Sequence, residues 1–193
     1  MNVKSNVKSM TIAGLLCAIG IIIPMFAPKI IIPPASYTLA SHVAIFIAMF
    51  ISPYVAIPVA LITTLGFFIG GFPLIVVLRA LSHIIFVIIG SFILKNNKKQ
   101  LNTTTGTVLF GLLMAVIHAI SEVVVVALFY WGGNVTEVYQ QKGFFFSVIV
   151  LVGVGTIVHS MIDFGISVLV WEPLQKVINI PVSVRRVRKQ ASM

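Results

Sequence analysis

The residues able to do chemistry in this chain are few and stand where they are expensive. Arg79 and His83 lie one helical turn apart inside Phe72–Leu94, a run of 23 residues that is otherwise almost wholly apolar. His118 with Glu122, and His159 with Asp163, repeat that i, i+4 spacing in two later apolar runs, which puts each pair on one helical face. His42 stands near the start of another apolar run. A run of this length crosses a hydrocarbon core of ~30 Å as a helix. A cation inside it costs at least ~2.5–3.5 kcal/mol unless a partner or a water-filled cavity receives it. Two arrangements satisfy Arg79: an ion pair with a carboxylate on a neighbouring helix, or a site that awaits an anionic ligand. The His/acid pairs invite a third chemistry, because zinc sites use His and carboxylate on adjacent helical turns. Neither pair has the HExxH order of metalloproteases, with the general-base Glu between two His ligands. Buried polar residues in lipid must hydrogen-bond one another in any case, so no metal is expected.

The elements that must position these residues follow from composition. The chain has 193 residues, 59% hydrophobic and 9% charged, with a mean hydropathy of +1.13. That is the composition of an integral membrane protein in a single domain over 1–193, and no soluble domain in it is large enough for an ATPase. One cysteine, Cys17, excludes a disulfide framework and a Cys-based metal motif. The first apolar run has lysines before it but no small-residue cleavage site after it, and reads as a retained helix. Apolar runs and Pro/Gly breaks predict helices over 10–26, 37–51, 54–69, 72–94, 106–131 and 144–170, followed by a basic tail over 172–193. Between the first two, Pro28, Pro33 and Pro34 predict a loop with an extended Ile30–Ile32 stretch.

Six spans with short connections alternate sides, so both termini share a face. Ten of the thirteen Lys and Arg fall on that face, Lys29 and Lys142 fall on the other, and Arg79 is inside a helix. The positive-inside rule then makes both termini cytoplasmic. The net charge of +9 is therefore topology, with anionic lipid as its partner, and no nucleic-acid role is expected. A rise of 1.5 Å per residue places Arg79 roughly 10 Å, and Glu122 roughly 13 Å, below the outer surface. The two share a layer and are expected to be within reach of each other. His83 and His118 lie one turn deeper, and His42 lies near the outer end of its helix. The polar positions thus describe a pocket open to the outside rather than a pore. Trp131 and Asn134 follow the helix of His118 and Glu122 and are expected to cap it by stacking on a planar ligand. Tyr37 and Tyr139 read instead as interfacial belt residues.

Specific stretches then resemble a known family. Pro33-Pro34 through Ala40-Ser41-His42 and on to Phe50-Ile51-Ser52-Pro53, Leu78-Arg79-Ala80-Leu81-Ser82-His83, and Ile117-His118-Ala119-Ile120-Ser121-Glu122 look like loop one with helix two, helix four and helix five of S components. These are the substrate-binding subunits of energy-coupling factor (ECF) vitamin transporters, and the match is nearest to the niacin type. The resemblance covers nearly the whole chain up to Trp171. Gly14 and Ala18 align with the family's Ala-x-x-x-Ala motif on helix one. They keep a small-xxx-small strip that permits close helix approach, although the Gly departs from the pattern.

The resemblance implies an all-α bundle of six transmembrane helices, multi-pass in a prokaryotic plasma membrane. It implies high-affinity binding of a small water-soluble vitamin, nicotinic acid first, without catalysis and without a cofactor of its own. Arg79 would neutralise the carboxylate, with His42, His83, His118, Glu122, Trp131 and Asn134 around the ligand. Gly14 and Ala18 would dock on the transmembrane coupling (T) component, and ATP would be used by two partner ATPase subunits. Pantothenate or a pyridoxine-like ring would suit the same polar layer. Two other classes stay open: an intramembrane metal-dependent enzyme built on His118, Glu122, His159 and Asp163, and an autonomous carrier of a small organic anion. The absence of an internal repeat counts against the carrier.

Overall fold

The computed structural model describes residues 3–32 and 35–177. Its elements are α1 (Val3–Phe26), β1 (Lys29–Ile32), β2 (Ala35–Thr38), α2 (Val43–Ile51), α3 (Pro53–Ile69), α4 (Leu74–Asn96), α5 (Thr104–Trp131) and α6 (Glu137–Lys142). A π-helical segment, Phe145–Val154, then runs directly into α7 (Gly155–Val177). Four stretches are long and apolar enough to cross a membrane: Val7–Phe26, Leu74–Asn96, Thr104–Trp131 and Phe145–Gln175. The shorter α3 is apolar as well. The arginines of the expected basic tail lie outside the described residues.

The expected helix over 37–51 is corrected. Its first residues form β2, which pairs antiparallel with β1 in the register Lys29–Thr38 and Ile30–Tyr37. Only Val43–Ile51 is helical. The cause is a tertiary partner that no local signal announces. Asp163 Oδ1 accepts from the backbone N–H of Ala40 at 2.8 Å, and its Oδ2 accepts from the backbone N–H of His42 at 2.9 Å. Ala40 takes a positive φ of 64° to reach it, a conformation with a steric cost for a residue carrying a Cβ. Because a buried carboxylate satisfies these amides, the chain turns here without a helical ladder.

The nine residues of α2 are all buried. Its sequence, VAIFIAMFI, has no polar face, so it cannot lie on a water-facing surface and is enclosed by α1, α3, α4 and α7. At ~1.5 Å per residue it spans roughly 14 Å, about half a hydrocarbon core. Beneath it the rings of Phe46, Phe50, Phe86, Phe110, Phe164 and Trp171, all buried, pack at centroid distances of 5.3–6.1 Å. Trp171 belongs to this plug, which is why α7 continues past 170 where the sequence predicted its end.

The other boundaries shift by small steps. α1 begins at least seven residues before the expected Met10. α5 starts at Thr104, where Thr103 Oγ1 accepts the Gly106 amide at 3.1 Å as a side-chain cap.

Candidate functional site

Arg79 and His83 of α4 and His118 and Glu122 of α5 meet in one place because the two helices pack side by side. Arg79 Nη2 donates to Glu122 Oε2 at 2.9 Å. The same oxygen accepts from Thr156 Oγ1 of α7 at 2.6 Å. Glu122 is only 3% exposed, so the guanidinium and the hydroxyl keep its charge from standing alone in an apolar interior. His83 Nε2 and His118 Nε2 lie 3.6 and 3.5 Å from the other oxygen, Oε1. Arg79 Nε has no hydrogen-bond partner among the described residues.

A second polar centre is organised by Asp163. Besides the Ala40 and His42 amides, it accepts from His42 Nδ1 at 2.9 Å and from Ser41 Oγ at 3.3 Å. His159, one turn before it on α7, lies 3.4 Å from Oδ2 and 3.1 Å from Ser41 Oγ. The two centres meet through rings: His42 is 4.8 Å from His83, 4.7 Å from His118 and 5.0 Å from His159 between centroids. The i, i+4 pairs read in the sequence are thus halves of larger networks. His42, from a distant part of the chain, joins them.

Above these networks is a cavity of about 280 Å³. Arg79, His83 and Glu122 form one side, and His42, Ser41 and His159 another. Lys29, Tyr37 and Thr38 of the hairpin border it, together with Tyr139 of α6, Thr63 of α3 and an apolar wall including Ile45, Phe67, Phe72 and Val76. Thr63 Oγ1 is buried without a hydrogen-bond partner among the described residues, whereas its neighbour Thr64 donates to the Ala60 carbonyl at 2.9 Å. Tyr37 donates to the Leu151 carbonyl of the π-helical segment, which ties the hairpin to that segment. Burial pushes the Tyr37 hydroxyl up to about 12 and raises that of Tyr139 as well, so both phenols keep their protons at neutral pH. Phe86, 5.7 Å from His83 and 4.8 Å from His118, begins the aromatic plug directly below.

Of the residues expected around a ligand, Arg79, His83, His42 and Glu122 line the cavity. His118 lies behind them and is fully buried. Trp131 and Asn134 are not among the lining residues. Trp131 is 70% exposed and stacks on Phe144 at 5.0 Å, and Asn134 bonds back to the Gly132 carbonyl. The geometry of α5 explains this. Nine residues separate Glu122 from Trp131, and at 3.6 residues per turn that is two and a half turns, hence the opposite face.

Lys29, Tyr37, Thr38, Thr63 and Tyr139 are further cavity residues, which corrects the reading of Tyr37 and Tyr139 as interfacial belt residues. Three of them carried signals. Lys29 is one of the two cations that the sequence sets apart from the ten on the expected cytoplasmic face, and the tyrosines bracket the helices that hold the polar layer. Thr63 carried none. On α1, Gly14 and Ala18 are both exposed, and nothing lies within 4 Å of a Cβ built on Gly14. His118, Glu122, His159 and Asp163, the set considered for a metal enzyme, fall in two centres, with the His42 ring between the first pair and the second.

No family model matches the chain, and no solved structure matches it. Among curated proteins it is similar to the niacin transporter NiaX of Lactococcus lactis subsp. cremoris (strain MG1363). The two are 38% identical over 174 residues, covering 90% of this chain and 77% of the relative.

Proposed function

The chain belongs to the family of the niacin transporter NiaX, and from that premise we propose that it is the vitamin-binding S component of an ECF importer, with nicotinic acid as its ligand. The observation that carries this reading is the cavity floor, where Arg79 presents an unpaired Nε beside the ion pair it makes with Glu122. Among the lining residues Arg79 and Lys29 are cationic and only Glu122 is a carboxylate, so one ligand carboxylate balances the charge. At about 280 Å³ the cavity is at the small end of ligand sites, which run roughly 300–1,000 Å³, and it suits a one-ring acid better than a large cofactor. The apolar wall covers the ring faces. Thr63 and the protonated phenol of Tyr139 supply donors to the ligand, and the Tyr37 oxygen, whose proton goes to the Leu151 carbonyl, is left as an acceptor.

The bound state involves no bond making, and no catalytic residue is assigned. The membrane is the prokaryotic plasma membrane. The arrangement has six membrane-embedded helical elements with both termini cytoplasmic, α2 serving as a half-length element behind the hairpin. The exposed Gly14–Ala18 strip of α1 is the docking face for the T component, which brings the two ATPase subunits. The test is titration of the purified protein in detergent with nicotinic acid and nicotinamide, which share the ring and differ in charge. Tight, carboxylate-dependent binding supports the reading, and indifference to the charge removes its basis.

A further inference from the structure

Three histidines from different parts of the chain converge beside the cavity, His42 and His83 in its lining and His118 directly behind them, and the function proposed above gives them no role. His42, His83 and His118 each place one ring nitrogen within 4.8 Å of the others. Their rings lie 4.6–4.8 Å apart and meet at 70–86°. The nitrogen that each can offer follows from the hydrogen bond on its far side. His42 Nδ1 donates to Asp163 Oδ2 at 2.9 Å, which leaves its Nε2 as the lone-pair atom. His118 Nδ1 is 3.3 Å from Ser160 Oγ, which leaves Nε2 free there too.

The Nε2 atoms of His83 and His118 are buried and have no hydrogen-bond partner among the described residues, on rings that are 7% and 0% exposed. Glu122 Oε1, at 3.6 and 3.5 Å, is beyond the usual 2.7–3.2 Å reach of an N–H donor. An unpaired buried nitrogen is costly, and here two face the same point. A histidine held by a carboxylate on one nitrogen, with the other nitrogen directed at that point, is the outer-shell arrangement of metal-ligating histidines.

The alternative set, His42 with His159 and Asp163, is already engaged. Asp163 Oδ2 accepts from the His42 amide, the His42 ring and the Ser41 hydroxyl, which leaves it little capacity for an ion. A tetrahedral ion with ~2.0–2.1 Å bonds needs its nitrogens about 3.3 Å apart, so the three rings must close by at most roughly 1.5 Å.

The geometry points to a three-histidine site for one divalent transition-metal ion, zinc foremost, whose fourth position opens into the cavity and takes the pyridine nitrogen of the bound vitamin. Three neutral imidazoles suit zinc, nickel, copper or cobalt and disfavour magnesium or calcium. Three protein ligands with an open fourth position is the zinc arrangement that admits a ligand. The pyridine nitrogen is a donor of the same kind as imidazole. The ion half of the inference stands on the side chains alone, and the pyridine half rests on the proposed function.

The test uses the full-length protein in detergent, stripped with a chelator and titrated with Co²⁺ as the probe. The expected result is one Co²⁺ per chain with the visible bands of a tetrahedral site, displaced by Zn²⁺. His83→Gln and His118→Gln each weaken Co²⁺ binding at least tenfold. X-ray absorption on the unmutated protein, which does not depend on how the variants fold, shows imidazole nitrogens at ~2.0–2.1 Å. Nicotinate shifts the cobalt bands, whereas benzoate, with the same carboxylate and no ring nitrogen, does not. No stoichiometric ion, or an octahedral oxygen-rich spectrum, overturns the site. Nicotinate that binds stripped and loaded protein equally and leaves the bands unchanged overturns the pyridine ligation alone. Loss of nicotinate binding from both forms, with the ion retained, instead strikes the function proposed above.

Discussion

Replacing Arg79 by methionine separates an ion pair that only holds the fold from one that also receives the vitamin. Met keeps much of the apolar stem and removes the charge. The guanidinium is 2.9 Å from a Glu122 side chain that is 4% exposed, so the single change strands a carboxylate with Thr156 as its remaining hydrogen-bond donor. Breaking such a buried pair costs about 3–5 kcal/mol, against a total stability of roughly 5–15 kcal/mol for an ordinary domain. Arg79→Met should therefore lower the melting temperature in detergent clearly. Arg79→Met with Glu122→Gln, which removes both charges, should recover most of the loss.

Ligand binding gives the second reading. A charge-assisted hydrogen bond lost at a carboxylate is worth ~1.5–3 kcal/mol, or roughly 10–150-fold in Kd at 1.4 kcal/mol per decade. Calorimetry on the three proteins with nicotinic acid and nicotinamide completes a cycle in which the coupling between Arg79 and the carboxylate is isolated. Lys29 is exposed and should retain no more than about 1 kcal/mol of the preference. If the doubly neutral protein still prefers nicotinic acid by the wild-type ratio, Arg79 is not the anion receptor and the argument from its unpaired Nε fails.

Other expected outcomes follow from single features. Gly14→Leu with Ala18→Leu should leave nicotinate affinity within about twofold and abolish uptake in cells that supply the coupling module; uptake that survives moves the docking face off α1. A cysteine at Thr38, in a Cys17→Ser background, should be shielded by nicotinate from a membrane-impermeant thiol reagent, and equal labelling with and without ligand would show that the hairpin does not close the site. Asp163→Ala deletes the acceptor of two backbone amides and of the His42 ring, so it should cost about 3–5 kcal/mol and expose the hairpin to protease; a melting temperature within 2 °C of the wild type would contradict that role.

The Arg79–Glu122 pair was legible because depth along two adjacent helices is nearly linear in residue number. Azimuth is equally legible, since helical phase places Trp131 opposite Glu122. The hairpin over 29–38 and the late start of α2 were not legible, because what determines them is Asp163, more than 120 residues away. Local propensity favoured a helix from Tyr37, and a distant carboxylate that claims two amides overrides it. Thr63 and Thr64 show the same limit on a smaller scale. The two are identical in sequence terms, yet one closes onto its own helix and the other is left facing the cavity.

The short α2 also bears on how the protein is made. Nine residues that bury every side chain find no stable place in lipid by themselves, and they emerge from the ribosome before most of the surfaces that enclose them. α3, α4 and α7 all follow it in the chain. α2 therefore enters together with α3 as a hairpin bent at Ser52–Pro53, and its upper end stays unsettled until α7 is synthesised and Asp163 reaches the amides of Ala40 and His42. Completion of the chain and completion of the binding site are then one event, so a nascent protein that has stalled before α7 holds no vitamin. Ligand added during synthesis should rescue slow-assembling variants of α7 far better than variants of α1.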